Sequence, residues 1–537
     1  MSIVLSTLNA RYSHASLGLR YLLANMEELQ EQTVLKEFVI GVKPVDVVEK
    51  LLQYQPRIVG FGVYIWNVEE LTKIVALFKQ VAPHVVIVLG GPEVSHETEA
   101  QAIVKLADHV ITGWGDITFP KLCRQLLQGP QPLMKLHAGE QPAMETIAYP
   151  YAHYSADDIS HRTIYIEASR GCPFKCEFCL SALDKTAWPF PLETLLGELE
   201  SLYQRGVRLF KFVDRTFNLN IKTSQRILEF FLNKLERAPL DPVFAHFELV
   251  PDHLPPALKE TIQRFPAGAL QFEIGIQSFN PEVQARISRK QDNEKAEINL
   301  RWLREESHAH LHVDLIAGLP GEDLDSFAQG FDRLLALRPH EIQFGILKRL
   351  RGTPIIRHTE AFGLQFDPAP PYTILATNCI DFATMQRLVR FARYWDLIAN
   401  SGRFASSLPL VLGAAPFARF LMLSDWLYQN TDATHRLAPE RLARLIRTWL
   451  LEQGEDVVQV GQSAAEDLAA LQAHSASSAA HAPNASQVPP ATLPERQARH
   501  QAALPSAALR QASISARASE SSDSSVKARE RSKIISA

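Results

Sequence analysis

The sequence predicts an α/β chain: a doubly wound parallel sheet, then a partial β/α barrel, then a helical extension and a polar tail. Three observations carry this. Strands and amphipathic helices alternate over roughly the first 125 residues, and a second strand-then-helix series runs from about 161 to 365. The third is the loop after the first strand of that second series. It holds Cys172, Cys176 and Cys179, three of the five cysteines in the chain, at C-x3-C-x2-C spacing.

In the first series, Ile3-Val4-Leu5 reads as a strand and 17–30 as a helix. Strands follow at 37–42, 58–64 and 85–89, with an amphipathic helix over 68–81 between the last two. Apolar parallel strands of this kind give a flavodoxin-like sheet over 1–125. Residues 126–160 read as a linker, because Pro130, Pro132, Pro142 and Pro150 interrupt any regular pattern. The second series offers six strands, at 163–168, 209–213, 243–248, 270–276, 312–316 and 341–347. Residues 370–456 read as helical, with amphipathic runs at 372–399 and 439–453. From 457 to 537 the chain turns to Ala, Ser, Gln and Arg, and so little apolar surface predicts disorder.

A length of 537 residues allows two or three domains, and 46% hydrophobic content allows real cores. The net charge of −4 gives no argument for nucleic acid as a general partner. No apolar run reaches the length of a membrane span, and the start reads as a first strand and not as a signal peptide. Cys123 and Cys379 lie far from the other three and read as ordinary buried thiols. A reducing, cytoplasmic setting fits this usage.

Arg170-Gly171-Cys172-Pro173-Phe174-Lys175-Cys176-Glu177-Phe178-Cys179 is a polar loop, unsuited to bury three thiols in a core. Soft thiolates this close favour zinc or an iron–sulfur cluster. Zinc wants a fourth protein ligand, and no Cys or His follows at a short spacing. The loop and its preceding strand resemble the radical S-adenosylmethionine (SAM) superfamily. The resemblance implies a [4Fe-4S] cluster on Cys172, Cys176 and Cys179, with an open iron that chelates SAM, in a partial (β/α)6 barrel over 161–365.

Further residues carry the resemblance. Glu273-Ile274-Gly275-Ile276-Gln277-Ser278 resembles the Glu-x-Gly-x-Gln-Ser pattern of the branch with oxygen-independent coproporphyrinogen oxidases and methylthiotransferases. By that match Glu273 belongs to the SAM site, Gln277 meets the ribose, and Arg289 pairs with the SAM carboxylate as a bidentate fork. Asp314 meets the ribose hydroxyls; a carboxylate in so apolar a strand needs a partner. Asp214, Arg215 and Asn218 stand where the family often has a Gly-Gly-Glu segment, and Glu248 resembles part of a Glu-x-x-Pro element. Asp214 could instead cap a helix, and Glu248 could form a loop salt bridge. His308, His310 and His312 alternate along one strand and read as structural.

In the first domain Gly90-Gly91 and Gly113-Trp114-Gly115-Asp116 resemble turns of the cobalamin-binding-type domain that precedes many radical SAM barrels. Gly90, Gly91 and Gly113 would let corrin or its nucleotide tail approach backbone closely. The Asp-x-His-x-x-Gly motif is absent, and His14 precedes Gly18 at the wrong spacing, so His14 is not expected to ligate cobalt.

The resemblance implies an enzyme with a [4Fe-4S] cluster, SAM and cobalamin, which cleaves SAM to a 5′-deoxyadenosyl radical and methylates an unactivated carbon. The alternatives are a cobalamin-free radical rearrangement or oxidation, and a non-catalytic iron–sulfur protein. An external one-electron reductant such as flavodoxin or ferredoxin is the implied partner. A methylthiotransferase is disfavoured, since the first domain holds only Cys123.

Overall fold

The structure is a computed structural model that describes residues 1–184 and 186–480. The first sheet has six parallel strands: β1 (Ile3–Asn9), β2 (Thr33–Val39), β3 (Ile58–Gly62), β4 (Val86–Gly90), β5 (His109–Thr112) and β6 (Leu136–Ala138). Their spatial order is β2-β1-β3-β4-β5-β6. Order therefore reverses between β1 and β3, and in open α/β sheets ligands bind beyond the carboxyl ends of the strands at such a switch. All seven residues of β1 are buried, as a central strand covered on both faces requires. Separate apolar clusters pack the two faces, one around Phe61, Phe78 and Ile87, the other around Leu5, Ile58 and Phe119.

After Ile164–Ile166 (β7) the cysteine loop leaves through a small antiparallel hairpin, Ser169–Gly171 (β8) with Ala187–Pro189 (β9). The second sheet then adds β10 (Leu209–Phe212), β11 (Phe244–Leu249), β12 (Leu270–Gln277), β13 (His310–Ala317) and β14 (Glu341–Ile346). They stand in sequential order with β7 at one edge, all parallel. One continuous apolar core joins this barrel to the helices Phe382–Ile398, Pro416–Thr431 and Pro439–Glu452.

Several expectations need correction. The helix expected over 17–30 ends at Ala24, where Asn25 takes over as C-cap, and a 3-10 turn, Glu27–Gln32, completes it. Thr33–Val39 lies about four residues before the strand expected at 37–42. The segment 126–160 is not simply a linker: β6 pairs with β5, and Ser155 with Asp158 forms a capping box on the helix Ala156–His161. The helix expected over 372–399 starts only at Phe382, capped by Asp381, whose carboxylate accepts from Thr384 N–H at 2.8 Å.

The expected disorder begins too early. Val457–Ala480 is a helix, with Val460, Ala464 and Leu471 buried against the core. Apolar residues spaced by about one turn give it a docking stripe that average composition conceals. The remainder of the tail lies outside the described residues. Cys123 is buried, as expected, but Cys379 is exposed. No helix among the described residues is long and apolar enough to cross a membrane.

Candidate functional site

Two cavities meet at the cysteine loop. The barrel cavity, about 210 Å³, is lined by Cys172, Cys176 and Cys179, by Arg215 after β10, Glu248 on β11, Glu273, Gly275 and Gln277 on β12, Arg289, and Asp314 on β13. Strand alternation explains the grouping: Glu273, Gly275 and Gln277 share one face of β12, as His312 and Asp314 share one of β13. Burial pushes the Cys172 thiol up to about 11. It also raises the Cys176 thiol, against the nearby Arg289 guanidinium, which donates to Cys176 Sγ at 3.7 Å. Buried, disulfide-free thiols of this kind lose their protons readily only to a metal centre. Among the described residues no three His, Cys, Asp or Glu side chains converge closely enough for a single metal ion.

The polar wall is strained and incompletely paired. A β-bulge lies between Gly275 and Gln277, and Gln277 has φ of +69°, which a branchless residue adopts far more cheaply. Its buried Oε1 has no hydrogen-bond partner, nor has Asp314 Oδ1, although His312 Nε2 is 3.6 Å away from the latter. Burial, reinforced by Glu273 and Glu248, raises the Asp314 carboxyl well above the usual range. Two bare acceptors facing one cavity fit a ligand rich in hydroxyl and amine donors. Burial alone would raise Glu273, but His246 at 3.1 Å and Lys211 at 3.6 Å reverse this and hold it well below its ordinary value. Glu248 is raised by burial and moderated by Arg215, which donates to it at 2.7 Å.

Asp214 is a different case. It does not line the cavity; it is buried and accepts from Ala168 N–H at 3.0 Å and Ser169 Oγ at 2.6 Å, so it braces the start of the cysteine loop. Asn218 likewise ties loops, donating to Val250 C=O at 2.9 Å. Burial raises the Asp214 carboxyl to about 7. The folded state thus holds its proton more tightly than the unfolded chain, and the stability this gives is present at acid pH and lost as pH rises through 7. In urea unfolding of the apo-protein, wild type should lose about 1–2 kcal/mol relative to Asp214→Asn between pH 5.5 and 7. Parallel profiles would refute the assignment.

The second cavity, about 470 Å³, opens at the switch point of the first sheet. Gly62 at the end of β3 and Tyr64 beyond it, Gly90 at the end of β4 and Gly91 beyond it, Gly113 and Asp116 after β5, and Leu17, Leu19, Tyr21 and Leu22 of the first helix line it. Gly91 has φ of +108° and its missing Cβ would stand 2.5 Å from Val63 C=O, so the turn admits glycine alone. A Cβ on Gly113 would meet nothing within 4 Å, and the Gly113 N–H donates to Ser95 Oγ at 3.0 Å. Gly60, Val88, Ile111 and Phe119 add apolar surface to its lining. Gly60-Phe61-Gly62, glycines two apart on one strand face, is the signal that sequence reading missed.

His14 lies elsewhere. Its Nδ1 is hydrogen-bonded to Tyr165 Oη at 2.5 Å and its backbone bridges Thr163 beside β7. His14→Ala should therefore leave the cobalt(II) paramagnetic spectrum of a bound corrinoid unchanged; loss of an axial nitrogen coupling would contradict this. His310 pairs with Glu341 at 3.1 Å inside the structure.

The cysteine loop walls both cavities. Gly171, Leu180, Ser181, Leu183 and Asp184 face the sheet cleft, while the three cysteines and Ala182 face the barrel. Arg170, at the loop's root, fixes this arrangement. It bonds Glu167, just past β7, at 2.9 Å and Asp116, beyond β5, at 2.8 Å, and all three residues line the sheet cleft.

Comparison with known proteins follows the same division. The Radical SAM superfamily model matches residues 166–334, a B12 binding domain model matches 3–123, and a domain of unknown function, DUF4080, matches 360–459. A Radical SAM superfamily domain thus follows a B12 binding domain in this chain. The cofactors of these two domains are a [4Fe-4S] cluster with SAM, and cobalamin. An uncharacterized methyltransferase of Pyrococcus horikoshii is 27% identical over 231 residues, 38% of this chain and 50% of the relative. The cobalamin-dependent radical SAM methyltransferase TokK of Streptomyces tokunonensis is 24% identical over 355 residues, 59% of this chain and 51% of that protein. The chain thus spans about half the length of these relatives. The structure of TsrM from Kitasatospora setae, with cobalamin and a [4Fe-4S] cluster, shares the fold: TM-score 0.54 at 17% identity, covering 70% of this chain and 82% of that one.

Proposed function

We propose that this radical SAM protein is a cobalamin-dependent methyltransferase acting on an unactivated carbon. The observation that supports this most is the shared wall: one loop faces both the cysteine-lined cavity and the glycine-lined cleft. When bound, cluster and SAM supply a carbon radical able to take hydrogen from an unreactive C–H bond, and cobalamin supplies a transferable methyl group.

The chain's own residues do the positioning. Cys172, Cys176 and Cys179 would hold the cluster as thiolates, with Arg289 donating to Cys176 Sγ. Arg289 would offer its guanidinium to the SAM carboxylate, from a place fixed by Gln291 Oε1 at 2.8 Å and by Gly275 C=O. Gln277 Oε1 and Asp314 Oδ1 would accept from the ribose hydroxyls, which gives both orphaned atoms a partner. Arg215 beside Glu248 and Lys211 beside Glu273 offset the negative charge these two carboxylates bring to the cavity. Apolar Phe174, Phe178 and Leu249 exclude water from the same cavity. Across the loop, Gly90, Gly91 and Gly113 would cradle the corrin.

Full-length protein reconstituted anaerobically with iron, sulfide, SAM and cobalamin should release 5′-deoxyadenosine under reduction. With substrate it should yield a methylated product only when corrinoid is present. Product that forms equally without corrinoid would transfer the chain to the cobalamin-free alternative. Relatives named as methyltransferases agree with the methylation reading.

A further inference from the structure

Residues 92–97, which follow the Gly90-Gly91 turn, join the sheet cleft to the rest of the molecule. Ser95 Oγ accepts from Gly113 N–H at 3.0 Å and donates to Gly91 C=O at 2.8 Å, so one hydroxyl ties together two glycine turns of the cleft. His96 lines the same cleft. The carboxylates on either side of this pair bond outside the first domain. Glu93 is only 4% exposed, and its Oε1 accepts from Arg351 Nε at 2.7 Å and from Tyr372 Oη at 2.6 Å. Glu97 accepts from Arg349 at 2.9 Å, from Arg351 at 3.1 Å and from Gly352 N–H at 3.3 Å. Gly352 also leaves room for the His96 ring, which a Cβ there would strike.

Arg349 and Arg351 belong to the loop that leaves β14, the strand at one edge of the barrel sheet. Tyr372 comes from the C-terminal domain that the DUF4080 model matches. It stands in the turn between Gln365–Phe366 (β15) and Ile374–Ala376 (β16), an antiparallel pair. That hairpin is laid on the exit of β14: Arg349 N–H donates to Tyr372 C=O at 3.0 Å, and Ile374 N–H to Leu347 C=O at 2.9 Å. Arg351 Nη2 in turn donates to Tyr372 Oη at 2.8 Å. Three domains thus meet at one buried carboxylate. At the other edge of the barrel sheet the first domain is held separately, by Thr163 N–H donating to Ser13 C=O at 2.8 Å beside β7.

We propose that Arg351 and Tyr372 are positioning residues for methyl transfer: through Glu93 they set the glycine turns of the cleft against the barrel, and holding that register is a task of the C-terminal domain. The inference rests on the cobalamin-dependent reading above. A carbon that loses hydrogen in the barrel must meet the transferable methyl group from the cleft, and a misplacement of about 1 Å can cost about 100-fold in rate. A buried carboxylate holds register firmly, because moving either donor away leaves a charge unpaired. Neither side chain lines either cavity, so neither acts by touching a cofactor.

The test uses the full chain loaded with cluster and cob(II)alamin. With the cluster reduced, pulsed paramagnetic resonance of wild type should show one narrow dipolar coupling between the two centres. Arg351→Ala should keep both cofactors and release 5′-deoxyadenosine from SAM at the wild-type rate, yet lose that single coupling to a broad distribution. Arg351→Lys keeps a cation for Glu93 and should recover part of the narrow signal, while Tyr372→Phe should broaden it less than Arg351→Ala does. A coupling as narrow as that of wild type in both Arg351→Ala and Tyr372→Phe would overturn the proposal. If Arg351→Ala gave up its corrinoid, Tyr372→Phe, which removes a single hydroxyl, would decide. Absence of any coupling in wild type with both centres bound would instead strike at the functional reading.

Discussion

Replacing Cys172, Cys176 and Cys179 together by alanine should abolish iron binding and reductive SAM cleavage while the chain stays folded. Wild type reconstituted anaerobically should approach about four iron and four sulfide per chain, the composition of a cubane. The variant should hold none, and its charge-transfer absorption should vanish. Folding survives because the barrel core, built on Phe210, Phe231, Phe247 and Phe272, makes no use of the thiols. The loop is pinned independently by Arg170, Glu177 and Asp214. A full cluster in the triple variant would refute the ligand assignment.

Gly91→Val should be the most damaging single change in the first domain. A Cβ there would meet Val63 C=O at 2.5 Å and Val63 N at 3.0 Å, backbone atoms of the β3 exit that cannot step aside. Left-handed strain on a β-branched residue adds to the clash, and together they should cost about 3–5 kcal/mol. The turn that lines the cleft would shift, so corrinoid binding should be lost while the cluster is retained. Gly113→Ala is the contrast: φ is +74° but nothing stands within 4 Å, so only about 1 kcal/mol of strain is expected. Equal stability for the two variants would show that the Gly91 turn is not packed as described.

Much of this was legible in the sequence because the signals were local. The cysteine spacing, the Glu-x-Gly-x-Gln-Ser run and Asp314 inside an apolar strand each sit within one element. The structure brings Cys172, Cys176, Cys179, Glu248, Glu273, Gln277, Arg289 and Asp314 to one cavity. Gly90, Gly91 and Gly113 fall together at the other for the same reason: turns after parallel strands converge at a sheet's switch point. What could not be read was long-range. Asp214 stands where the family often has a Gly-Gly-Glu segment, yet its partners Ala168 and Ser169 lie about forty-five residues earlier, and only the folded sheet brings them together. Glu177 looks like a spacer between cysteines until Ser288, Arg357 and His358 arrive from segments more than a hundred residues away. The helix Val457–Ala480 was hidden because mean composition ignores where its few apolar residues point.

The central claim is that cluster and corrinoid occupy adjoining cavities separated by one loop. Spin relaxation of bound cob(II)alamin tests it most directly, measured in the full chain with the cluster reduced to its paramagnetic state. The account predicts markedly faster relaxation than in the triple cysteine variant loaded with the same corrinoid, because a neighbouring paramagnet speeds relaxation only at short range. Identical relaxation in the two proteins, with corrinoid bound to both, would contradict it.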